Sequence, residues 1–443
     1  MHNDIQRMKM KQNIFIGILV STALIYACVS ALLYHPPTDW QPIPNRIRNG
    51  TIPGTIHGII EKTSFAKSPL AGKCGRNFVY IKVHKAASSL LNQILLRYGI
   101  STNKTLALPR KEHYFDYYKL FQRNMVFDYK PKKFQMLINH ARYNRLEMKT
   151  VVPNALYFAT LRDPVTQFES SFGYFRVSEQ ICNQPYPTTE SLQLFFSNPK
   201  HYLKNIKYGN FTLWNGQIFD LGLHPVFYEN RTAIKHKIQQ LEEEFDLILI
   251  TEYIDESLIL LKNIMCLNFT DILYLPSNVR SNKFKTEISR NLSTQIKNWN
   301  TADVMLYEHF NRTLWNRIYN EGPKFFEDLE TFRVLKQETF EKCVNYSDAN
   351  VSQRNWILKL KENCDYFCRT LTKSTVRYVN NLRQDLMKEN EERKRKDKEE
   401  KNKEEKNLIK RNRTTTKKTE KGGEMGREKG NQKVAETGEK SIK

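Results

Sequence analysis

Three short apolar runs organise the chain, each ending in a polar turn after which apolar residues recur at helical spacing. The first covers residues 78–83, Phe78-Val79-Tyr80-Ile81-Lys82-Val83, and is followed by His84-Lys85-Ala86-Ala87-Ser88-Ser89 and then by Leu90, Leu91, Ile94 and Leu95. The second, residues 155–161, ends in Arg162-Asp163-Pro164, with Pro164 suited to the first turn of a helix. The third, residues 247–252, precedes a helical pattern over residues 256–267. β-Branched runs joined to helical periodicity predict strand–loop–helix units, hence a mainly parallel sheet flanked by helices, an α/β fold. Farther on, Leu306, Phe310, Leu314, Trp315 and Ile318 fall on one face of a single predicted helix over residues 301–332 and read as core.

The two ends of the chain carry different patterns. Residues 14–33 hold no charge, long enough for one membrane span at about 20 residues. Arg7, Lys9 and Lys11 precede that run and favour a cytoplasmic N-terminus. The reading is a short cytoplasmic tail (1–13), a transmembrane anchor (14–34), a Pro- and Gly-containing luminal stem (35–75), a catalytic domain (76–375) and a charged tail (376–443). A cleaved signal peptide would have a shorter apolar region of about 7–15 residues. The tail shows a helical pattern through Leu382 and Leu386 and then becomes rich in Lys and Glu, so it is expected to be a solvated helix grading into disorder.

Composition sharpens the compartment. Ten Asn-x-Ser/Thr sequons, at Asn49, Asn103, Asn210, Asn230, Asn268, Asn291, Asn311, Asn345, Asn350 and Asn412, are usable only in the secretory pathway. Cys28 lies in the apolar run, and the other six cysteines are compatible with three disulfides in an oxidising lumen, with 15 pairings open. The net charge is +23. Residues 388–443 hold 20 Lys and Arg against 13 Asp and Glu, so +7 belongs to the tail and +16 to the rest. A basic body attracts anions, and a luminal setting favours an anionic co-substrate over nucleic acid.

The candidate chemistry lies in the two turns. A loop of small residues opening a helix aims several N–H groups at one point, where the helix dipole adds positive charge, so Lys85, Ala86, Ala87, Ser88 and Ser89 form a candidate phosphate cradle. Its plain structural alternative is a buried strand followed by a Ser-capped helix. Arg162 suits a bidentate grip on a second phosphate, with Ser170 two turns farther along. Two cradles on two strands point to a nucleotide phosphorylated at both ends.

This pair resembles the 5′-phosphosulfate loop and the 3′-phosphate motif of sulfotransferases that use 3′-phosphoadenosine 5′-phosphosulfate, and within them the galactose 3-O-sulfotransferase family. The likeness runs from about Asn77 to Trp315 through Asn139-His140-Ala141-Arg142-Tyr143, Asn215-Gly216-Gln217, Phe219-Asp220-Leu221-Gly222, Glu252-Tyr253-Ile254-Asp255-Glu256-Ser257 and His309-Phe310-Asn311-Arg312. Where the family pattern reads Lys-Thr-His-Lys-Thr-Ala-Ser, this chain has Val83 and Ala86 at the two Thr places, and loss of the Ala86 hydroxyl is expected to lower affinity for the phosphosulfate at worst. The resemblance implies the P-loop-like sulfotransferase fold, a Golgi type II membrane protein and transfer of sulfate to the 3-hydroxyl of a terminal β-galactose on a glycolipid or glycan.

Sulfuryl transfer needs an in-line acceptor, a base for its proton and a stabilised leaving phosphate. Histidine, with a reference pKa of about 6.5, suits the base role. His140 is the first candidate and His84 the second; either residue could instead be structural. Lys85 is expected to stabilise charge on the leaving oxygen, Ser88 and Ser89 to hold the 5′-phosphate, and Arg162 and Ser170 the 3′-phosphate. The scheme requires no metal. Tyr114, Tyr117 and Tyr143 are candidates for stacking on sugar faces. The alternatives are a uronosyl 2-O-sulfotransferase acting on glycosaminoglycans, a non-catalytic glycan-binding relative, and a luminal nucleotide kinase, which the missing G-x-x-x-x-G-K-[ST] disfavours. Oligomeric state is not legible.

Overall fold

The four strands that position the site are short, parallel and fully buried. β1 (Phe78–Ile81), β2 (Met136–Leu137), β3 (Leu156–Leu161) and β4 (Leu247–Ile250) form one sheet in the order β2-β1-β3-β4. Phe78 is in register with Met136 on one side and Leu156 on the other, and Phe158 pairs with Leu247. Every residue of these strands is buried, as parallel strands covered on both faces require. The computed structural model describes residues 74–129, 133–276, 280, 284–350 and 357–435. The expected cytoplasmic tail, membrane anchor and most of the stem lie outside these residues. Among the described residues, no helix is long and apolar enough to cross a membrane.

The chain leaves β1 toward β2 on one side and returns through β3 to β4 on the other. The order of connection therefore reverses between β1 and β3, and the carboxyl ends of those two strands flank a crevice of the kind where open α/β sheets bind ligands. Both anion-binding candidates sit there. The loop after β1 runs into α1 (Ser88–Ser101), and the loop after β3 runs into α2 (Pro164–Tyr174), with Pro164 in its first turn and Asp163 capping the N–H groups of Val165 and Thr166. A five-residue helix, α3 (Gly216–Asp220), lies beside the two loops, and α4 (Ile254–Met265) follows β4 after a short 3₁₀ turn.

The single helix expected over residues 301–332 is instead two: α5 (Thr301–Glu321) and α6 (Pro323–Cys343). The break has a local cause. Gly322 takes φ 75° and Pro323 occupies the first turn of α6, a stop and restart that periodicity alone does not register. Leu306, Phe310, Leu314 and Ile318 are buried as expected, with Trp315 half-buried.

The tail also differs from expectation. The last helix, α7 (Thr375–Ala435), does not start as a solvated element: Val379 is buried, and Tyr378, Leu382 and Leu386 pack against the main core. Arg383 donates to the backbone carbonyls of Pro109 and Glu112, and Asn390 Nδ2 donates to that of Asp128. From Lys388 to Ile409 the helix is mostly exposed, and the chain expected to grade into disorder is helical to Ala435. Acidic and basic residues recur four apart along it, as Glu391 with Arg395 and Glu399 with Lys403, a spacing that favours helix in this sequence.

Three disulfides are reduced to two among the described residues, Cys74–Cys266 and Cys343–Cys368. Cys182 and Cys364 are free; the Cys182 thiol donates to the Ser178 carbonyl one turn back in its own helix. Cys74–Cys266 ties the segment before β1 to the end of α4, closing a loop of 192 residues that spans the whole site.

Gly222, just after α3, takes φ 92°, and a Cβ there would lie 2.6 Å from the Tyr143 carbonyl oxygen. Backbone cannot yield as a flexible side chain does. Gly222→Ala is expected to cost on the order of 1–3 kcal/mol, measured as a lower denaturation midpoint; unchanged stability would contradict this account of the turn.

Candidate active site

The loop after β1 is shaped for an anion. Lys85 and Ala87 have φ of 61° and 50°, and such left-handed residues turn neighbouring N–H groups toward a common point. Ala87 caps α1 without a side-chain hydrogen bond, and the N–H groups of Ala87, Ser88 and Ser89 find no acceptor among the described residues. Orphan donors at a helix N-terminus suit a phosphate. Val83 and Ala86 are fully buried, so a hydroxyl at either place would need an internal partner. Lys85 lies with its ammonium 3.9 Å from the centre of the Tyr174 ring.

The loop after β3 presents Arg162, whose Nε donates to Thr166 Oγ1 at 3.0 Å and whose Nη1 donates to the Lys85 carbonyl at 3.3 Å. Thus the two loops touch. Thr166 and Ser170 are four apart on α2 and share its face, which brings Ser170 to the side where Arg162 lies. Next to it, the buried Glu169 receives the Arg280 guanidinium and the Thr286 N–H.

α3 holds both loops. Gln217 grips the Arg162 backbone from both ends, Oε1 accepting from its N–H at 2.9 Å and Nε2 donating to its carbonyl at 2.8 Å. Asp220 Oδ2 accepts from the His84 N–H at 2.8 Å and from the His84 ring Nδ1 at 2.8 Å. The helix is itself anchored by Asp303 of α5, which accepts from the N–H groups of Gln217 and Ile218 at 3.0 and 2.8 Å. Burial pushes the Asp303 carboxyl up to about 7.

The two candidate histidines meet. Their rings stack with centroids 4.1 Å apart and planes at 19°. With Asp220 Oδ2 accepting from the His84 Nδ1–H, the Nε2 of that ring carries the free lone pair, and it has no hydrogen-bond partner among the described residues. His140 has its Nδ1 buried without a partner. Its pKa lies well below the ordinary histidine value, through burial first and then through His84 and Lys82. Lys82 is itself buried, which lowers its ammonium to about 8.

Aromatic rings wall this centre. Tyr117 meets His84 edge-on at 5.1 Å, Tyr114 stacks on Tyr117 at 4.0 Å, and Phe211 meets His84 edge-on at 5.0 Å. Tyr143 does not belong to the wall. It is buried in the core with its hydroxyl donating to Glu244 at 2.7 Å, so no sugar can stack on it.

Gln217, Asp220, Lys82 and Phe211 were given no role from the sequence. The blocks holding Gln217 and Asp220 were visible there, but nothing in spacing pairs a carboxylate with a histidine 136 residues away.

A group whose folded pKa is depressed binds its proton better when unfolded. Between pH 6.5 and the lower folded value of His140, the unfolded chain takes up a proton that the folded one does not, so this residue's contribution to stability falls as pH drops through that window. Denaturation midpoints at pH 7.5 and 5.5 are expected to fall more for the wild type than for His140→Gln; equal falls would contradict the buried neutral assignment.

Comparison with known proteins places this arrangement. The family model described as galactose-3-O-sulfotransferase matches residues 3–359. The galactosylceramide sulfotransferase of Homo sapiens is 35% identical over 284 residues, 63% of this chain and 67% of its own length. Galactose-3-O-sulfotransferase 2 of Homo sapiens is 30% identical over 303 residues, covering 67% of this chain and 75% of its own. The crystal structure of a sulfotransferase from Alicyclobacillus acidocaldarius aligns with 53% of this chain and 96% of its own, at 11% identity and a TM-score of 0.32. On the strength of the family match, the chain belongs to the galactose-3-O-sulfotransferase family.

Proposed function

We propose that this protein transfers sulfate from 3′-phosphoadenosine 5′-phosphosulfate to the 3-hydroxyl of a terminal β-galactose on a glycolipid or glycan. The observation that carries the reading is the clamp: one short helix ties an anion-shaped loop to an arginine loop and aims a carboxylate-held histidine beside them. The relatives named for galactosylceramide and galactose sulfation support the acceptor class.

The residues present fit such a donor, since orphan N–H groups and left-handed backbone at the head of α1 suit a phosphate. When bound, it supplies a sulfuryl group already activated by its phosphate leaving group. Ala87, Ser88 and Ser89 hold the 5′-phosphate through backbone and hydroxyl donors, with Ala86 closing the loop behind them. Arg162 and Ser170 hold the 3′-phosphate. Lys85 balances charge where the leaving oxygen is released.

The geometry favours His84 over His140 as the base, reversing the order that the sequence suggested. A histidine whose Nδ1–H is held by a carboxylate has a fixed tautomer, with Nε2 left to face the acceptor hydroxyl. His140, held neutral chiefly by burial and then by the nearby charge of Lys82, is a poor proton acceptor, and its Nδ1 is buried without a partner. Tyr117 is stacked between Tyr114 and Phe211, so Tyr114 is the tyrosine left to stack on the sugar ring.

The apolar residues 14–33 are read as a single Golgi membrane anchor with the catalytic part luminal. Two disulfides, which persist in oxidising compartments, support the luminal side.

Transfer of radiolabelled sulfate by the purified segment 35–409, offered galactosylceramide, lactosylceramide, a lactosamine glycan and desulfated heparan, tests the function. Label on a galactoside is expected, whereas label on heparan alone would overturn the acceptor. Asp220→Asn is expected to lower kcat by about 10² to 10⁴ while the affinity for adenosine 3′,5′-bisphosphate stays within about twofold; a wild-type kcat would remove His84 from the base role.

A further inference from the structure

A groove of about 410 Å³ lies next to the site, lined by Lys200, Leu203, Lys204, Asn210, Trp214 and Trp299. Its volume is within the range of roughly 300–1,000 Å³ typical of small-ligand sites. Trp214 and Trp299 stack on each other at 5.2 Å and remain half-buried. The Trp299 indole N–H is already spent on the Leu213 carbonyl at 2.8 Å, so this residue offers ring surface and no donor. Lys204 is exposed, and Lys200 is 75% exposed with only a distant, equally exposed Glu229 at 3.7 Å. Such a surface pair contributes little to stability and leaves the ammonium available.

The groove and the candidate centre are linked by adjacent residues. Phe211 faces His84 at 5.0 Å, while its neighbour Asn210 lines the groove. The exposed Tyr118 donates to Asn210 Oδ1 at 3.3 Å and meets Phe211 edge-on, bridging the two. A ligand at His84 and one in this groove would therefore flank the same Asn210–Phe211 pair.

We propose that the groove is an acceptor subsite that takes the inner sugar of an oligosaccharide whose terminal galactose is at His84, and that it favours an inner sugar bearing a negative charge. The proposal rests on the sulfotransferase reading above. Indole surface stacks on the C–H face of a pyranose, and Lys200, Lys204 and Asn210 supply donors at the rim, with charge complementary to a carboxylate or sulfate. An apolar lining combined with a few convergent polar groups is what fixes one end of such a ligand.

The test compares kcat/KM on three acceptors: a single β-galactoside, a neutral lactosamine-type oligosaccharide, and the same oligosaccharide carrying a carboxylate on its inner sugar. The full luminal chain is expected to prefer the acidic oligosaccharide to the single galactoside by about tenfold or more. That ratio is expected to fall to near one in Trp299→Ala and to drop at least threefold in Lys200→Glu/Lys204→Glu, each enzyme serving as its own control for folding. A wild-type ratio near one, or a ratio that survives both variants, would overturn the subsite. Asn210 also heads an Asn-Phe-Thr sequon, so protein made without N-glycans is assayed as well; loss of the preference there would assign it to the attached glycan and overturn the proposal. Failure of every galactoside to accept sulfate would instead sink the underlying function.

Discussion

The site depends on a buried carboxylate more than on any residue that could meet the substrate. Asp303 accepts two N–H groups at the start of α3 and so fixes a helix of only five residues, too short to hold its own position by internal hydrogen bonds. Asn215 and Asn300 complete the anchor, the Asn215 N–H donating to Asn300 and the Asp303 N–H donating back to Asn215. Everything that follows is geometry inherited from that anchor. Gln217 sets the backbone of Arg162, and Asp220 sets the backbone and ring of His84, so two loops from different strands are referred to one rigid body.

Such a device answers a specific difficulty. Loops shaped to bind a doubly phosphorylated nucleotide must hold unsatisfied N–H groups and several cations close together before the ligand arrives. Lys82, Lys85 and Arg162 are all near the stacked histidines or the loop that carries them; burial depresses the Lys82 pKa, and burial followed by nearby charge depresses that of His140. The fold offsets that strain with hydrogen bonds to the loops' carbonyls from Gln167 and Arg162 and with the aromatic face of Tyr174 under Lys85. Preorganisation of this kind lets charge that develops during transfer meet dipoles already in place.

The strand–loop–helix units were legible because periodicity reports on burial. A β-branched run that is apolar at every position has few alternatives to a covered parallel strand, and β1, β3 and β4 were found where such runs occur. The two anion loops followed from the same pattern plus their small or basic residues. What was not legible depended on contacts between distant parts of the chain. Asp220 and Gln217 gain their roles only when residues 136 and 55 positions away arrive beside them. Tyr143 resembled Tyr114 and Tyr117 as an aromatic beside a motif, and only packing separates a buried tyrosine from one lining a cleft. The break at Gly322 was signalled by its Gly-Pro pair, yet the apolar stripe continued across it. The start of α7 was assigned to the tail because its charge dominates a window in which four residues, Tyr378, Val379, Leu382 and Leu386, carry the packing.

The central claim is that α3 governs the nucleotide site although neither of its side chains needs to touch the nucleotide. Calorimetric titration of adenosine 3′,5′-bisphosphate into the wild type and into Gln217→Ala tests it most directly. The account predicts at least a tenfold weaker Kd in the variant, on the order of 1.4 kcal/mol, with the folded state retained. An unchanged Kd in a folded Gln217→Ala protein would contradict it, because Arg162 would then be held without the clamp.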